Sequence, residues 1–291
     1  MGGSHSYPRA RHIALLGDST IDNGNWVEPG QPCVTDQISK LSGFKTTCAA
    51  KDGALMAAIA DQALAVPSSA THVVVSVGGN NGISAVNLLK QPVANAEEAI
   101  LRLHKFAVSF EAELEQTIQN LVEQIGSGTP LVVCSVYNPC FGPLGVTTVD
   151  QNTANVCVTL LSDACLRVAT RFGLPVIDWR RVLTSAGDFA NPIEPSAAGG
   201  QKMAEVIVSV VKTHPFNLGH TVVYPQHFPR SELTTTLAAS CINGGDDMPP
   251  LTMAPTAEAE AAQAVVPAQK NVLDDAAGAA VVKDIRQQAE L

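Results

Sequence analysis

Five short runs of apolar residues, each followed by a stretch with helical periodicity, constrain the fold of this 291-residue chain more than any other feature. The runs cover residues 12–17, 46–50, 72–77, 130–136 and 175–178. They are continuously apolar rather than alternating, which is typical of strands that are buried on both faces. Strand and helix alternating five times predict an α/β fold, a three-layer α/β/α sandwich around a five-stranded parallel sheet.

The clearest helical pattern lies between residues 95 and 125, where apolar residues recur every three or four positions. This spacing predicts one long helix with a single apolar stripe. Asn95, followed three residues later by Glu98, predicts the N-terminal cap of that helix. The stripe consists of Ile100, Leu103, Ala107, Phe110, Leu114, Ile118, Leu121 and Ile125.

The globular domain is expected to end well before the C-terminus. The last aromatic residue of the sequence is Phe228, and residues 215–291 carry four basic and nine acidic side chains. Such a segment cannot offset its loss of conformational entropy by burial. We therefore expect a flexible arm over residues 1–11, one domain over residues 12–214, and an extended strap with a largely disordered acidic tail over residues 215–291.

Charge and hydropathy argue against several classes of protein. The net charge of −9, without a cluster of basic residues, argues against nucleic-acid binding. No apolar run of about 18 residues exists, so no transmembrane segment is expected, and the N-terminus has no signal-peptide core. Seven cysteines without a Cys-x-x-Cys pair indicate reduced thiols in a cytoplasmic protein and no metal site.

The first six residues fit the pattern for N-myristoylation at Gly2, with Ser6 four positions further on. A single acyl chain gives marginal, reversible membrane binding, so this modification would mean peripheral attachment.

Ligands of open parallel sheets bind beyond the carboxyl ends of the strands, and polar residues follow three successive strands here. The segments are Gly-Asp-Ser-Thr at 17–20, Lys-Asp-Gly-Ala at 51–54 and Gly-Gly-Asn-Asn-Gly at 78–82. Each alone is also typical of a simple turn. The third segment lacks the Gly-x-Gly-x-x-Gly spacing and the Walker lysine, which makes a nucleotide site the least favoured interpretation.

Taken in order, the three segments resemble the SGNH (GDSL-like) hydrolase superfamily, and the resemblance covers nearly the whole globular part. It implies a flavodoxin-like topology, no cofactor, and Ser19 as the nucleophile. It also implies an oxyanion hole formed by the backbone N–H groups of Ser19 and Gly53 and by the side-chain amide of Asn80.

The residue types suit that chemistry. A hydroxyl at a strand-to-helix turn is presented to substrate near the positive end of a helix. Glycine lets the backbone approach the oxyanion, and an asparagine amide donates without carrying charge; losing one such donor typically costs about 3–4 kcal/mol in the transition state. The candidates for substrate binding are Asp18, Gly79, Asn81 and Asn138.

The last motif departs from the superfamily, whose Asp-x-x-His supplies the general base and its orienting carboxylate. Here Asn191 stands in place of the aspartate and Glu194 in place of the histidine, and Asn81 replaces a usual aspartate in the third segment. An ordinary glutamate is a weaker base than histidine by about 2 pKa units, or about 3 kcal/mol of proton affinity. Burial in an apolar pocket would raise the pKa of the glutamate and so reduce its difference from that of histidine.

Three interpretations stay open. Glu194, oriented by Asn191, acts as the base; a histidine from elsewhere reaches Ser19; or the site binds without turnover. For Glu194 itself, the plain structural alternative is a loop carboxylate that faces solvent. The sequence favours a hydrolase of esterase, lipase or acetylesterase type acting on a small-molecule or lipid ester. The alternative is a catalytically impaired pseudoenzyme that acts as a binding or regulatory protein.

Overall fold

A six-stranded parallel sheet forms the centre of the computed structural model, which describes residues 11–142 and 149–225. A separate two-stranded antiparallel hairpin lies outside it. In chain order the strands are β1 (His12–Gly17), β2 (Lys45–Cys48), β3 (His72–Ser76), β4 (Leu131–Cys134), β5 (Val176–Ile177), β6 (Phe189–Asn191), β7 (Glu194–Pro195) and β8 (Val223–Tyr224). The central sheet has the order β2-β1-β3-β4-β5-β8, so the α/β class and the flavodoxin-like topology are confirmed.

The predicted number of strands is wrong by one. β8 comes from the segment expected to be an extended strap, and it pairs with β5 through Val176 opposite Val223. Backbone bonds hold it there, because Val176 N donates to Val222 O at 2.9 Å and Asp178 N donates to Tyr224 O at 3.1 Å. Two residues are too few to show a strand periodicity in the sequence, so this strand could not be predicted from it.

The described residues form six α-helices, five of which pack on the two faces of the sheet. They are α1 (Val34–Ser42), α2 (Ile59–Leu64), α3 (Gly79–Ser84), α4 (Ala96–Ile125), α5 (Gln151–Phe172) and α6 (Ala197–Thr213). Side chains of α1 and α6 form one apolar core with the sheet, and side chains of α2, α4 and α5 form the other. The three-layer arrangement is therefore as the sequence predicts.

Strand β1 explains why the apolar runs do not alternate with polar residues. Ile13 and Leu15 belong to the core on the α1–α6 side, whereas Ala14 and Leu16 belong to the core on the α4–α5 side. All four side chains are fully buried. Because helices cover both faces, every position of this strand is an interior position.

Helix α4 begins as predicted, with Asn95 Oδ1 accepting a hydrogen bond from Glu98 N at 3.0 Å. The central part of its stripe, from Ala107 to Leu121, is buried against the sheet and α5. Ile100 is 67% exposed, however, so the stripe does not reach the core in the first turns of the helix. Leu103 and Phe106, from the first turns of α4, line a cavity that is described below.

Three sequence predictions lie outside the described residues, namely the flexible arm up to residue 10, the modification of Gly2 and the tail beyond residue 225. Within residues 11–142 and 149–225, no helix has the length and apolar character needed to cross a bilayer.

A buried histidine marks the amino end of the sheet. His72, at the start of β3, is 9% exposed, and its ring lies edge-on to Phe216 with the centroids 5.3 Å apart. Burial, and then the nearby charge of Arg11, lower the pKa of His72 to about 4. The folded protein therefore keeps this imidazole neutral at a pH where the unfolded chain has already bound a proton.

The stability that the neutral His72 provides is complete above its unfolded pKa, near 6.5, and is lost as the pH falls towards 4. We expect His72→Gln to reduce the loss of unfolding free energy between pH 7.5 and pH 4.5 by about 2 kcal/mol. Urea unfolding at the two pH values measures the difference in unfolding free energy. His104→Gln, an exposed substitution on α4, is the control; equal pH slopes for wild type and His72→Gln would contradict the assignment.

Candidate active site

Ser19 lies in a single helical turn directly after β1. The amides of Ile21 and Asp22 donate to Asp18 O at 3.1 and 3.0 Å, and Thr20 N donates to Asp18 Oδ1 at 3.0 Å. Ser19 is 5% exposed. The expectation that a helix follows the serine directly is wrong, since α1 begins only at Val34.

Glycine is required at position 17 because β1 ends against the backbone of β3. Gly17 has a φ of 137°, and a Cβ atom there would lie 1.9 Å from Ser76 O. The side-chain amide of Gln62 bonds both sides of this residue, accepting from Gly17 N at 2.7 Å and donating to Gly17 O at 2.8 Å. This clamp fixes the point from which the Ser19 turn departs.

Side-chain bonds join the ends of the first three strands. Asp22 Oδ2 accepts from Asp52 N at 3.1 Å, and Asn80 Nδ2 donates to Ala54 O at 3.0 Å. Gly53, with a φ of 79°, lies between these two anchored residues. Asn80 is 4% exposed, and its bond to Ala54 uses only one of the two hydrogens of the amide.

Asn81 fastens the third strand end to its neighbours. Its Oδ1 accepts from Met56 N at 3.1 Å, and its Nδ2 donates to Glu113 Oε1, also at 3.1 Å. Burial raises the pKa of Glu113, an effect that the bond from Asn81 partly offsets. These contacts give Asn81 a positioning role in the structure, while its predicted contact with substrate stays a prediction.

Glu194 lies in the β6–β7 hairpin, directly opposite Asn191. Asn191 Oδ1 accepts from Ile193 N and Glu194 N, each at 3.0 Å, so this asparagine shapes the turn between the strands. Glu194 is 1% exposed. A carboxylate facing solvent is therefore excluded, and the side chain points into the protein.

Two neighbouring segments hold the hairpin in place. The hydroxyl of Tyr137 donates to Ile193 O, and Cys140 N donates to Pro192 O at 2.8 Å. These bonds tie the loop that follows β4 to the residues just before Glu194.

Asn23 connects the hairpin to the Ser19 loop. It is fully buried, donates through Nδ2 to Pro195 O at 3.2 Å, and accepts from Val34 N at 2.9 Å. The chain that follows the predicted nucleophile is thus bonded to the residue after the predicted base. Sequence reasoning did not assign this role, because an asparagine in a loop is also typical of a simple turn.

A second buried carboxylate stands at the base of the hairpin. Asp188 is 2% exposed and pairs with Lys202 Nζ at 2.7 Å. Burial raises the pKa of Asp188, but the bonds from Lys202, Ser185 N and Thr184 N outweigh it and hold this pKa below its usual value. Asp188 is therefore a paired anion that anchors α6 to the hairpin.

The strand ends and the hairpin meet at one cavity of about 150 Å³. Its polar wall contains Asp18, Thr20, Gly79, Asn80 and Glu194. The structure thus brings five residues from three separate segments of the chain to the same space.

Four other predicted site residues, Asn81 among them, are sequence neighbours of wall residues and do not belong to the wall themselves, whereas neither Gly53 nor its two neighbours line the cavity. Ser19 lies between the wall residues Asp18 and Thr20, Asn138 lies between Tyr137 and Pro139, and Asn191 immediately precedes Pro192. The position of Tyr137 directly after a predicted strand was a signal for contact with substrate, whereas Ile193 lies in a turn without periodicity and could not be predicted as a wall residue.

Histidines are placed away from this cavity in the described part of the chain. His12 and His72 open β1 and β3 at the opposite edge of the sheet, and the ring of His214 packs against Phe216 beside His72. The cavity wall contains none of these three histidines, and it also lacks His104 and His220. Of the described residues, Glu194 is the one that occupies the predicted base position.

Solved structures share this architecture. Phospholipase A1 from Streptomyces albidoflavus NA297 matches with a TM-score of 0.52 and 18% identity, over 70% of this chain and 100% of that one. An extracellular lipase from Streptomyces rimosus matches with a TM-score of 0.50 and 16% identity, over 70% and 100% of the two chains. A protein assigned as a GDSL-like lipase from Parabacteroides merdae ATCC 43184 matches with a TM-score of 0.51 and 11% identity, over 68% and 93%.

The chain has the SGNH-hydrolase fold. At the level of sequence, no family model and no curated protein matches it. The similarity to the lipases therefore lies in the SGNH fold, and the catalytic assignment depends on the residues of the cavity. In residues 11–142 and 149–225, no cluster of three or more His, Cys, Asp and Glu side chains is arranged to hold a metal ion.

Asn23 provides a test of how the SGNH core is held together. Replacing it with alanine leaves the buried Val34 N and Pro195 O without their partners, so we expect Asn23→Ala to lower the unfolding free energy by about 2–3 kcal/mol. Urea denaturation measures the change. Asn25→Ala, an exposed substitution in the same loop, should change stability by less than about 0.5 kcal/mol. Equal effects of the two substitutions would contradict the bridging role.

Proposed function

We propose that this protein is a serine hydrolase that cleaves a carboxylic ester with Ser19 as its nucleophile. The observation that carries the proposal is the shared cavity, in which Asp18 and Thr20 flank the serine and Asn80 and Glu194 face the same space. The SGNH fold, which this chain shares with solved lipases, supports the same chemistry.

In the proposed reaction, Ser19 Oγ attacks the carbonyl carbon of the ester while Glu194 accepts the hydroxyl proton. The carbonyl oxygen becomes an oxyanion and receives hydrogen bonds from Ser19 N–H, Gly53 N–H and the second amide hydrogen of Asn80. Collapse of this intermediate breaks the bond to the alcohol, and Glu194 returns its proton to the departing oxygen. Water then attacks the acyl-serine by the same steps, which releases the acid and restores Ser19.

The fixed positions of the donors favour this scheme. Asn80 is buried and already bonded to Ala54 O, so its orientation needs no reorganisation when the oxyanion forms. Ser19 is held by the turn around Asp18, and the Gly53 turn is anchored by the bond between Asp22 and Asp52 N. Donors that are positioned in advance act more strongly than donors that must turn away from water.

Glu194 is the proposed base because it is the carboxylate of the hairpin that shares a wall with Asn80 and Asp18. A carboxylate is an intrinsically weaker base than imidazole, by about 2 pKa units. We therefore expect slower acylation than a histidine base would give.

The proposed nucleophile is tested by covalent labelling with a fluorophosphonate probe. We expect the wild type and Ser127→Ala, a substitution in an exposed loop, to be labelled, and Ser19→Ala not to be labelled.

Asn80→Ala should lower kcat for a p-nitrophenyl ester by about 100-fold to 1,000-fold, because one oxyanion donor is lost. Glu194→Gln, which keeps the shape of the side chain, should also lower kcat, by about 100-fold.

Wild-type protein that folds and is not labelled at any pH between 6 and 9 would contradict the hydrolase proposal. That result favours the second candidate, a binding protein that keeps the pocket and lacks a competent base. The observation behind this alternative is the absence of any described histidine from the cavity wall. Glu194→His combined with Asn191→Asp separates the two cases, since gain of esterase activity would show that only the base was missing.

A further inference from the structure

The cavity has two kinds of wall. The strand ends and the hairpin supply the polar wall, whereas the helices on one face of the sheet supply an apolar wall. The apolar wall is built from Leu88 and Leu89 of the 3-10 turn Val86–Lys90, Leu103 and Phe106 of α4, and Ala154 and Leu161 of α5.

We propose that the apolar part of this cavity holds the acyl chain of the substrate, and that the preferred chain has about six to eight carbons. This acyl-chain proposal rests on the proposed function, because only the hydrolase scheme places the ester carbonyl at the polar wall. It assigns the substrate class of the site as esters of medium-chain, unbranched, uncharged acids.

The volume of the cavity determines the length of the acyl chain that fits into it. An engineered apolar cavity of about 150 Å³ takes up benzene, a molecule with six carbons. The cavity here has a volume of about 150 Å³. An acetyl group would leave most of the apolar wall uncovered, whereas a chain much longer than eight carbons would place its end outside the cavity.

The composition of the wall excludes charged acyl groups. The wall contains two carboxylic acid side chains, Asp18 and Glu194. No lysine, arginine or histidine lies in the described part of the wall. A second carboxylate on the acyl chain would therefore be buried without a counter-charge, which is strongly unfavourable. A hydrocarbon chain gains free energy from the same surroundings, at about fourfold in affinity for each buried methylene.

Two wall positions are expected to determine chain length. Ala154, on α5, is 8% exposed, so a larger side chain there would occupy the cavity. Phe106, on α4, lines the cavity and lies beside Phe110 with the ring centroids 6.3 Å apart. Removing its ring would extend the cavity towards the core.

The test is the profile of kcat/KM against acyl length for p-nitrophenyl esters from acetate to dodecanoate. We expect the wild type to rise about fourfold per methylene from acetate to hexanoate and to peak at hexanoate or octanoate. Ala154→Phe should lower kcat/KM for hexanoate about tenfold or more and leave acetate within about threefold, while Phe106→Ala should move the peak to longer chains. Val156→Phe, on the same helix at a 57% exposed position, should leave the profile unchanged.

A binding measurement on Ser19→Ala gives a readout that does not require turnover. Cys157 is a half-buried free thiol in the cavity wall, whereas Cys48 is an exposed free thiol outside it. Methyl octanoate, which carries no charge to meet Asp18 and Glu194, should slow alkylation of Cys157 by N-ethylmaleimide at least about fivefold and leave Cys48 unaffected. Methyl acetate at the same concentration should protect neither thiol.

The possible results separate the acyl-chain site from the hydrolase proposal. Hydrolysis that is fastest for acetate, with no protection of Cys157, would overturn the acyl-chain site and leave the hydrolase standing. Protection of Cys157 without hydrolysis or fluorophosphonate labelling would overturn the hydrolase and support the cavity as a site for an aliphatic chain. If Ala154→Phe does not fold, Phe106→Ala and the protection of Cys157 decide the question in the same way.

Discussion

The close approach of Gly17 to Ser76 is the contact on which the candidate site depends. A side chain at position 17 would collide with the carbonyl oxygen of Ser76, and the next amide, Asp18 N, donates to that same oxygen at 3.2 Å. The first strand therefore ends in contact with the third, and the turn that carries Ser19 starts beside the segment that carries Asn80. Gln62 bonds both sides of Gly17 and holds the end of the first strand in place.

Side-chain bonds extend that junction to the other loops, and those of Asn80 and Asn23 are buried. Asp22 binds the loop after β2, Asn80 binds the same loop from the other side, and Asn23 binds the hairpin that carries Glu194. Four segments that are distant in the sequence are thus cross-linked by side-chain hydrogen bonds, and losing a partner of the two buried bonds is costly. A rigid frame of this kind is what an oxyanion site requires, because its donors must be in place before the charge develops.

Much of the fold could be predicted from the sequence, because its signals are local and repeated. The buried strands show as continuous apolar runs, and the cap of α4 shows as Asn95 followed by Glu98. The parts that could not be predicted depend on tertiary contacts. β8 is two residues long and exists through its pairing with β5, the serine turn is followed by loop before α1 begins, and Tyr137 reaches the hairpin through a single hydroxyl bond. The burial of Glu194 likewise follows from the hairpin and not from its neighbours in the sequence.

In the proposed mechanism, the hydroxyl of Ser19 and the donors of Gly53 and Asn80 converge on one point. A crystal structure of the protein after reaction with a hexylphosphonate ester tests it most directly, since the bound phosphoryl oxygen marks the position of the oxyanion. We expect phosphorus bonded to Ser19 Oγ, with the phosphoryl oxygen about 3 Å from both Gly53 N and Asn80 Nδ2. A phosphonate on Ser19 whose oxygen faces solvent, with Asn80 on another side of the molecule, would contradict it.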